Sequence, residues 1–223
     1  MTSTRMNRVR LSTPIDDDNI ARLSQGDVVF LDGLVYTARE GVYSRVVDDG
    51  VALPVDLAGL SNVNFHCSPA ATPLPGGYDV GAVTATASFR FARWMARWFE
   101  LSGARMIIGK GGMSEEIYRD VFVPNRAVYL TTVGYGTGAL LGRGIKGVRD
   151  AVWLDELGIA QAMWIFEVEN FGPFLVDSNA QGNSLFANAN REINKRLEGL
   201  YEGTKPATLA RFGETTSRDD EVI

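Results

Sequence analysis

The chain has 223 residues, a hydrophobic fraction of 45%, a charged fraction of 22% and a formal net charge of −5. This composition is ordinary for a globular protein, and the length allows a substantial buried core. The negative net charge argues against nucleic-acid binding, which usually needs a basic face. No apolar run reaches membrane-spanning length and the N-terminus lacks a signal-peptide core, so we expect a cytoplasmic protein without a membrane segment.

The chain contains one cysteine, Cys67, and one histidine, His66. A single cysteine excludes an internal disulfide and fits a reducing compartment. It also excludes an iron–sulfur cluster held by several cysteines of this chain alone, and one histidine beside it makes no self-contained zinc site. We therefore expect no metal to be bound by this chain alone.

The first third of the chain predicts mostly strands. Alternation predicts a strand over residues 8–12, and the three aspartates after Thr13-Pro14 predict a helix start. Asp32-Gly33 stands between two apolar runs and predicts a β-hairpin turn. The remaining predictions here are strands over 28–31, 34–37 and 62–67, a helix over 43–47 and a Pro-rich turn over 68–77.

The middle of the chain predicts a β-α-β unit that ends in polar residues. Thr86 and Arg90 fall in the first turn of a helix that runs to Ser102, and Gly103 predicts its end. The next strand, over 105–108, ends in Lys110 between glycines. A hydroxyl, a guanidinium and an ammonium group at one strand edge suit a small carboxylate or phosphate ligand.

The last part alternates again between strands and helices. A glycine-rich turn with a short helix is predicted over 134–144, followed by strands over 148–153, 162–168 and 173–176 and a polar helix over 187–201. Alternation in the middle with hairpins at the ends predicts a mixed α/β (α+β) fold with a mixed sheet and helices mainly on one side. We expect one domain over residues 1–202 and a flexible polar tail over 203–223.

Several short motifs follow one another in a recognisable order. They are Asp32 to Glu40, Ser68-Pro69, Gly76 to Gly81, Thr86 with Arg90, Gly109 to Gly111, Glu167 to Phe171 and Asp177-Ser178. In this order they resemble the class I fumarase and L-tartrate dehydratase family. The match is to its β subunit, which is equivalent to the C-terminal domain of the single-chain enzymes. The resemblance covers roughly residues 8 to 187.

The resemblance implies a swivelling β/β/α domain that acts as the β subunit of an iron–sulfur-dependent hydro-lyase. Such an enzyme adds or removes water reversibly on a small hydroxy (di)carboxylic acid such as fumarate, malate or tartrate. A separate α subunit would supply three cysteines for a four-iron–four-sulfur cluster, in an assembly with two of each subunit. That division of labour would explain why this chain has a single cysteine.

The resemblance also assigns site residues. Arg39, Arg90 and Lys110 match substrate-binding positions, and Thr86 with Arg90 matches the pair that acts on the carbon-bound proton. Tyr43 stands where the family has a histidine, so Tyr43 and His66 are further candidates. Around Thr86 the family's Gly-Pro-Thr-Thr is replaced by Thr-Ala-Thr-Ala over 84–87. These changes indicate a hydroxy acid or unsaturated acid other than fumarate.

Simpler roles are open for the same residues. Arg90 could simply continue a solvated helix face with Arg93 and Arg97. Arg39 could form a surface ion pair with Glu40. Thr86 could cap a helix without taking part in the reaction. Two other functions also remain open. One is a non-catalytic carboxylate-binding or scaffolding subunit of such a complex, and the other is a self-sufficient enzyme that uses His66 and Cys67.

Overall fold

The computed structural model describes residues 6–134 and 136–203. A contact-based division gives two compact units, Met1–Ala187 and Asn188–Ile223. Within the described residues, every strand lies in the first unit: β1 (Arg8–Ser12), β2 (Val28–Thr37), β3 (Val63–Phe65), β4 (Cys67–Leu74), β5 (Gly77–Ala85), β6 (Met106–Gly109), β7 (Val128–Thr132), β8 (Ile145–Val152) and β9 (Met163–Ser178).

The helices are mostly short. They are α1 (Asp17–Ala21), α2 (Glu40–Tyr43), α3 (Leu57–Leu60), α4 (Ala92–Ser102), α5 (Glu115–Ile117), α6 (Thr137–Gly142), α7 (Leu154–Leu157) and α8 (Leu185–Tyr201). Helices α2 and α5 continue as π-helical turns over Ser44–Asp48 and Tyr118–Phe122, and a 3-10 turn over Ser88–Phe91 precedes α4. No helix among the described residues is long and apolar enough to cross a membrane.

Seven strands form one mixed sheet in the order β1-β2-β3-β6-β7-β9-β8. The first five of these strands are parallel to one another, whereas β9 runs antiparallel to β7 and β8. Strand β9 also pairs with β2, so the pairings of β2, β3, β6, β7 and β9 form a closed ring of strands. Strands β4 and β5 form a separate antiparallel pair.

Two apolar clusters occupy the two faces of the sheet. Alternation along β6 sends Met106 and Ile108 into one cluster and Ile107 into the other. The first cluster also contains residues of the β4–β5 pair, α1 and α6, and the second contains residues of α2, α3, α4 and the π-helical turns. The predicted mixed α/β class is confirmed, and most helices pack on the second face.

The predicted hairpin at Asp32-Gly33 is wrong. Strand β2 continues through both residues, and its register against β9 shifts between Leu31 and Gly33. Gly33 has a φ of +105°, and a Cβ there would lie 2.6 Å from the hydroxyl oxygen of Thr13. That hydroxyl bonds to both the amide and the carbonyl of Leu34. Glycine is therefore needed at position 33 because Thr13, which follows β1, lies directly against it, and not because the chain turns there.

Three other element predictions are corrected. Residues predicted as a Pro-rich turn form β4, because they pair with β5 from Cys67 to Leu74. The strands predicted over 162–168 and 173–176 are parts of the single long β9. Thr86 does not open a helix, because the 3-10 turn begins only at Ser88 and Ala87 pairs with Lys110 in a parallel bridge.

The end of α4 is as predicted. Gly103 has a φ of 67° in the left-handed region and its amide bonds to the carbonyl of Phe99. In the second unit, the described residues continue α8 to Tyr201. The predicted tail over 203–223 lies, except for Gly203, outside the described residues.

Candidate functional site

Four parallel strands end at one edge of the sheet. Because β2, β3, β6 and β7 run in the same direction, the residues that follow them share this edge. Arg39 follows β2, His66 follows β3, Lys110 follows β6 and Thr132 ends β7. Ligands of α/β sheets bind at such carboxyl ends. The topology therefore supports a site in the region that the sequence indicates.

Thr86 and Lys110 are joined through their backbones. The Lys110 amide donates to the Thr86 carbonyl at 3.2 Å, and the Ser88 amide donates to the Lys110 carbonyl at 3.1 Å. The Thr86 amide in turn donates to the His66 carbonyl at 2.7 Å. Among the described residues, neither the Thr86 hydroxyl nor the exposed Lys110 ammonium has a side-chain partner, and Thr86 retains 9% exposure.

Arg39 is partly buried at the start of α2. One of its terminal nitrogens, Nη1, donates to the carbonyl of Ala160 at 2.6 Å, while Nε is buried without a hydrogen-bond partner. Burial lowers the pKa of the Arg39 guanidinium, and the charge of Arg90 acts in the same direction. A carboxylate ligand near the guanidinium would offset the cost of burying its charge.

Arg90 lies on the exposed side of the same region. Its Nη2 is 3.4 Å from a carboxylate oxygen of Glu40, and both side chains are about half exposed. The expected pair between Arg39 and Glu40 is therefore replaced by one between Arg90 and Glu40. An exposed ion pair of this kind is worth only about 0–1 kcal/mol. An incoming carboxylate could displace Glu40 at little cost.

A buried hydrogen-bond network lies behind these residues. His66 Nε2 is 2.7 Å from the Tyr43 hydroxyl, and Nδ1 is 2.7 Å from the Ser88 hydroxyl. Asn64 donates to the Tyr43 hydroxyl at 2.6 Å, and the Tyr129 hydroxyl is 2.8 Å from that of Ser88. No local sequence signal indicates Asn64, Ser88 or Tyr129, because their partners are distant in the chain.

His66 is held in its neutral form. Burial, with a smaller contribution from the charge of Arg39, lowers the pKa of His66 from 6.5 to about 3. Burial also raises the pKa of Tyr43. Both side chains are fully buried, whereas Thr86 is 9% exposed and Lys110 is exposed. Their place in the structure is behind the site.

The donor set of this chain does not fit an iron–sulfur cluster. Such clusters are held by several thiolates, whereas Cys67 is the one cysteine in the sequence. Its thiol is buried, and burial raises its pKa well above the usual value. No group of three or more metal-ligating side chains occurs among the described residues.

A buried carboxylate supports the loop after Lys110. Asp177 accepts hydrogen bonds from the hydroxyls of Tyr118 and Ser184 and from the amide of Phe186, at 2.7 to 3.1 Å. A Cβ at Gly112 would lie 3.0 Å from the Asp177 carboxylate. The second glycine of the Gly111-Gly112 pair thus lets this loop lie directly on Asp177, a role that sequence alone did not indicate.

A cleft of about 650 Å³ opens beside Lys110. Its walls come from the end of β5, the end of β7 and α6, which confirms the short helix predicted in the glycine-rich segment. Four threonines contribute to the lining, namely Thr84, Thr131, Thr132 and Thr137. Thr84 is two residues before Thr86, so the cleft borders the candidate site directly.

Comparison with known proteins finds relatives whose names refer to tartrate dehydratase or fumarate hydratase. A provisionally named L(+)-tartrate dehydratase subunit beta of Methanocaldococcus jannaschii is 31% identical over 185 residues, covering 82% of this chain and 93% of the relative. L(+)-tartrate dehydratase subunit beta of Escherichia coli is 26% identical and covers 86% of this chain and 93% of the relative. A provisionally named class I fumarate hydratase of Geobacillus stearothermophilus is 30% identical over 87% of this chain and 36% of its own length.

A family model also matches most of the chain. The model described as Fumarase C-terminus matches residues 1–189, which include every residue of the candidate site. This range also includes the buried network and the cleft beside Lys110. The chain belongs to the Fumarase C-terminus family.

Proposed function

We propose that this chain is the β subunit of an iron–sulfur-dependent hydro-lyase that hydrates and dehydrates a small hydroxy (di)carboxylic acid. The family and the names of its relatives support a place in a lyase complex of the tartrate dehydratase or fumarate hydratase kind. The word subunit in two of those names supports a partner chain. In this proposal the partner is a cysteine-bearing α subunit, with two of each chain in the complex.

The observation that carries the proposal is the set of cationic groups around Thr86. Lys110 is bonded to Thr86 through the backbone, Arg90 is four residues further on, and the charge of Arg90 acts on Arg39. Among the described residues, only Arg90 of these three cations has a carboxylate at ion-pair distance, that of Glu40, so the set favours a ligand with more than one negative charge. A dicarboxylic acid has that charge.

Each residue has a defined task in this proposal. Arg39 adds its positive charge, Arg90 exchanges Glu40 for substrate, and Lys110 provides a point charge beside the Thr86 backbone. In this proposal Thr86 acts as its alkoxide after its hydroxyl proton has passed to water, takes the proton from the substrate carbon to become the hydroxyl again, and returns that proton in the reverse direction. The positive charge of Arg90 stabilises the negative charge that forms during this transfer.

In this proposal, no group of this chain helps the substrate hydroxyl to leave. A four-iron–four-sulfur cluster would supply a Lewis acid for that step, and this chain lacks the thiolates to hold one. The proposal therefore gives the cluster to the α subunit, which makes the isolated chain inactive.

Reconstitution tests the proposal. The full chain is purified alone and together with a candidate α subunit that carries three cysteines, with iron and sulfide restored under anaerobic conditions. Dehydration of malate and tartrate is then assayed. We expect turnover only in the complex. Turnover by the isolated, iron-free chain would contradict the proposal, as would a loaded complex that is inactive on every hydroxy acid tested.

A further inference from the structure

The cleft beside Lys110 is larger than a four-carbon acid requires. Clefts of about 300–1,000 Å³ hold drug-sized ligands, and this one measures about 650 Å³. The groups proposed to bind the reacting acid account for only one of its residues, Lys110. Arg39, Thr86 and Arg90 lie outside its lining. Most of the cleft is therefore unused by the proposed reaction.

The lining combines hydroxyl groups with apolar surface. Thr84 is exposed, Thr132 is partly buried, and neither hydroxyl has a hydrogen-bond partner within the described residues. Val83, Leu141 and Phe186 supply apolar surface. No acidic side chain of the described part of the chain lines the cleft. These features suit an uncharged or anionic chain of carbon atoms that also carries oxygen.

The wall between β5 and α6 is tightly packed. A Cβ at Gly142 would lie 2.3 Å from the Gly81 carbonyl oxygen, and one at Gly138 would lie 2.8 Å from the Val83 carbonyl oxygen. These approaches are too short for any side chain larger than hydrogen, so two glycines of α6 allow the helix to contact β5 closely. The cleft is thus bounded by fixed backbone on this side.

We propose that this cleft holds the part of the substrate that lies beyond the reacting carbons, and that the enzyme acts on an acid longer than four carbons. This inference rests on the proposed function, because it takes Lys110 as the group that binds one carboxylate. The remainder of the substrate then extends past Thr84 and Thr132, where hydroxyls meet its oxygen atoms and Leu141 and Phe186 cover its methylenes.

Binding to the full chain tests the inference without turnover. The probes are malate and 2-hydroxysuberate, which share a head group and differ in length, and their dissociation constants are measured by titration calorimetry. Each buried methylene can improve binding severalfold. We expect 2-hydroxysuberate to bind about tenfold more tightly or better. Equal dissociation constants would overturn the inference.

A cleft-filling variant locates the effect. Ala139 is exposed on α6 and lines the cleft, whereas its neighbour Leu140 is exposed and lies outside the lining. Ala139→Trp should remove the preference for the longer acid, and Leu140→Trp should keep it. A preference that survives in Ala139→Trp, with folding checked by circular dichroism, would contradict the placement of the ligand.

A second pair of variants serves if tryptophan disturbs folding. Thr84→Val removes a hydroxyl from the cleft, and Thr72→Val removes one from the exposed part of β4 outside it. We expect only Thr84→Val to weaken binding of 2-hydroxysuberate. Equal binding by both variants would count against a role for the cleft hydroxyls.

Three further results separate this inference from the proposed function. A preference for the longer acid together with an inactive, fully loaded complex would refute the proposed reaction and support the cleft as a ligand site. Turnover without any length preference would refute the inference alone. Loss of α-subunit binding in Ala139→Trp, without a length preference in the wild type, would show that the cleft seats the partner and would also refute it.

Discussion

The Tyr43 hydroxyl lies 2.7 Å from Nε2 of His66, and both side chains are fully buried. The other ring nitrogen of His66 is equally close to Ser88. A cationic imidazole would lose its solvation here and would also lie near Arg39. The pair therefore forms part of a neutral network, and this has a measurable consequence for stability.

Acid should destabilise the protein through His66. Its pKa in the folded chain, about 3, lies below its ordinary value of 6.5, so the unfolded chain binds the proton first as pH falls. The contribution of neutral His66 to stability is complete above pH 6.5 and is lost between pH 6.5 and 3. Between pH 7 and 5 we expect a loss of about 2 kcal/mol in the free energy of unfolding.

Urea denaturation at both pH values measures this loss, and His66→Gln is the comparison because its side chain does not titrate. The variant should lose about 2 kcal/mol less than the wild type over the same pH range. Since His66 is the one histidine in the sequence, its proton NMR signal can also be followed directly. A midpoint near pH 6.5 in the folded protein would contradict the structure.

Gly109→Ala should disturb the network from the other side. A Cβ at Gly109 would lie 1.9 Å from the Ser88 hydroxyl oxygen and 2.9 Å from that of Tyr129. Overpacking of this kind costs about 1–3 kcal/mol. Gly77→Ala is the control, because a Cβ there meets nothing within 4 Å, and it should change the free energy of unfolding by less than about 0.5 kcal/mol. Equal stability of the two variants by thermal and urea unfolding would count against the arrangement around Ser88.

Arg90→Ala should lower kcat/KM of the reconstituted complex. Loss of a charge-assisted hydrogen bond costs about 1.5–3 kcal/mol, which corresponds to roughly tenfold to a hundredfold. Arg93→Ala is a matched control, since Arg93 is also exposed and paired with an acid, Asp48. An unchanged kcat/KM in Arg90→Ala would favour the scaffolding subunit that the sequence left open.

Cys67 should not react with thiol reagents in the folded chain. It is buried, and burial raises the pKa of its thiol, so little thiolate is present at neutral pH. Labelling with a chromogenic disulfide should be slow in buffer and reach one thiol per chain in denaturant. Rapid labelling of the native protein, with loss of activity, would revive the self-sufficient enzyme that uses His66 and Cys67.

The sequence predicts the parts of the site that depend on local signals. Lys110 between glycines at a strand end and Gly103 at the end of α4 were both identifiable, because each signal lies within a few residues. The network around Ser88 was not, because Ser88 meets Tyr129 across 41 positions of the chain. The prediction of a hairpin turn at Gly33 was wrong for a similar reason, since the group that requires glycine there is the distant Thr13.

The position of Thr86 shows a different limit. Helical periodicity over residues 89–99 suggested that the helix began at Thr86, yet that residue is held by backbone hydrogen bonds to His66 and Lys110. Those bonds come from the residues that directly follow β3 and β6, and no local pattern encodes them. The correction changes the site, because Thr86 lies on the edge of the sheet beside Lys110 and its hydroxyl does not cap a helix.

The most direct test of the account is kcat of the reconstituted complex with Thr86→Val. Valine matches threonine in shape but has no hydroxyl, and Thr86→Ser restores one. We expect Thr86→Val to assemble with the α subunit and to lower kcat about a hundredfold or more, the usual contribution of general acid–base catalysis, and Thr86→Ser to retain much of it. A Thr86→Val complex with the kcat of the wild type would contradict the claim that this chain supplies a catalytic group.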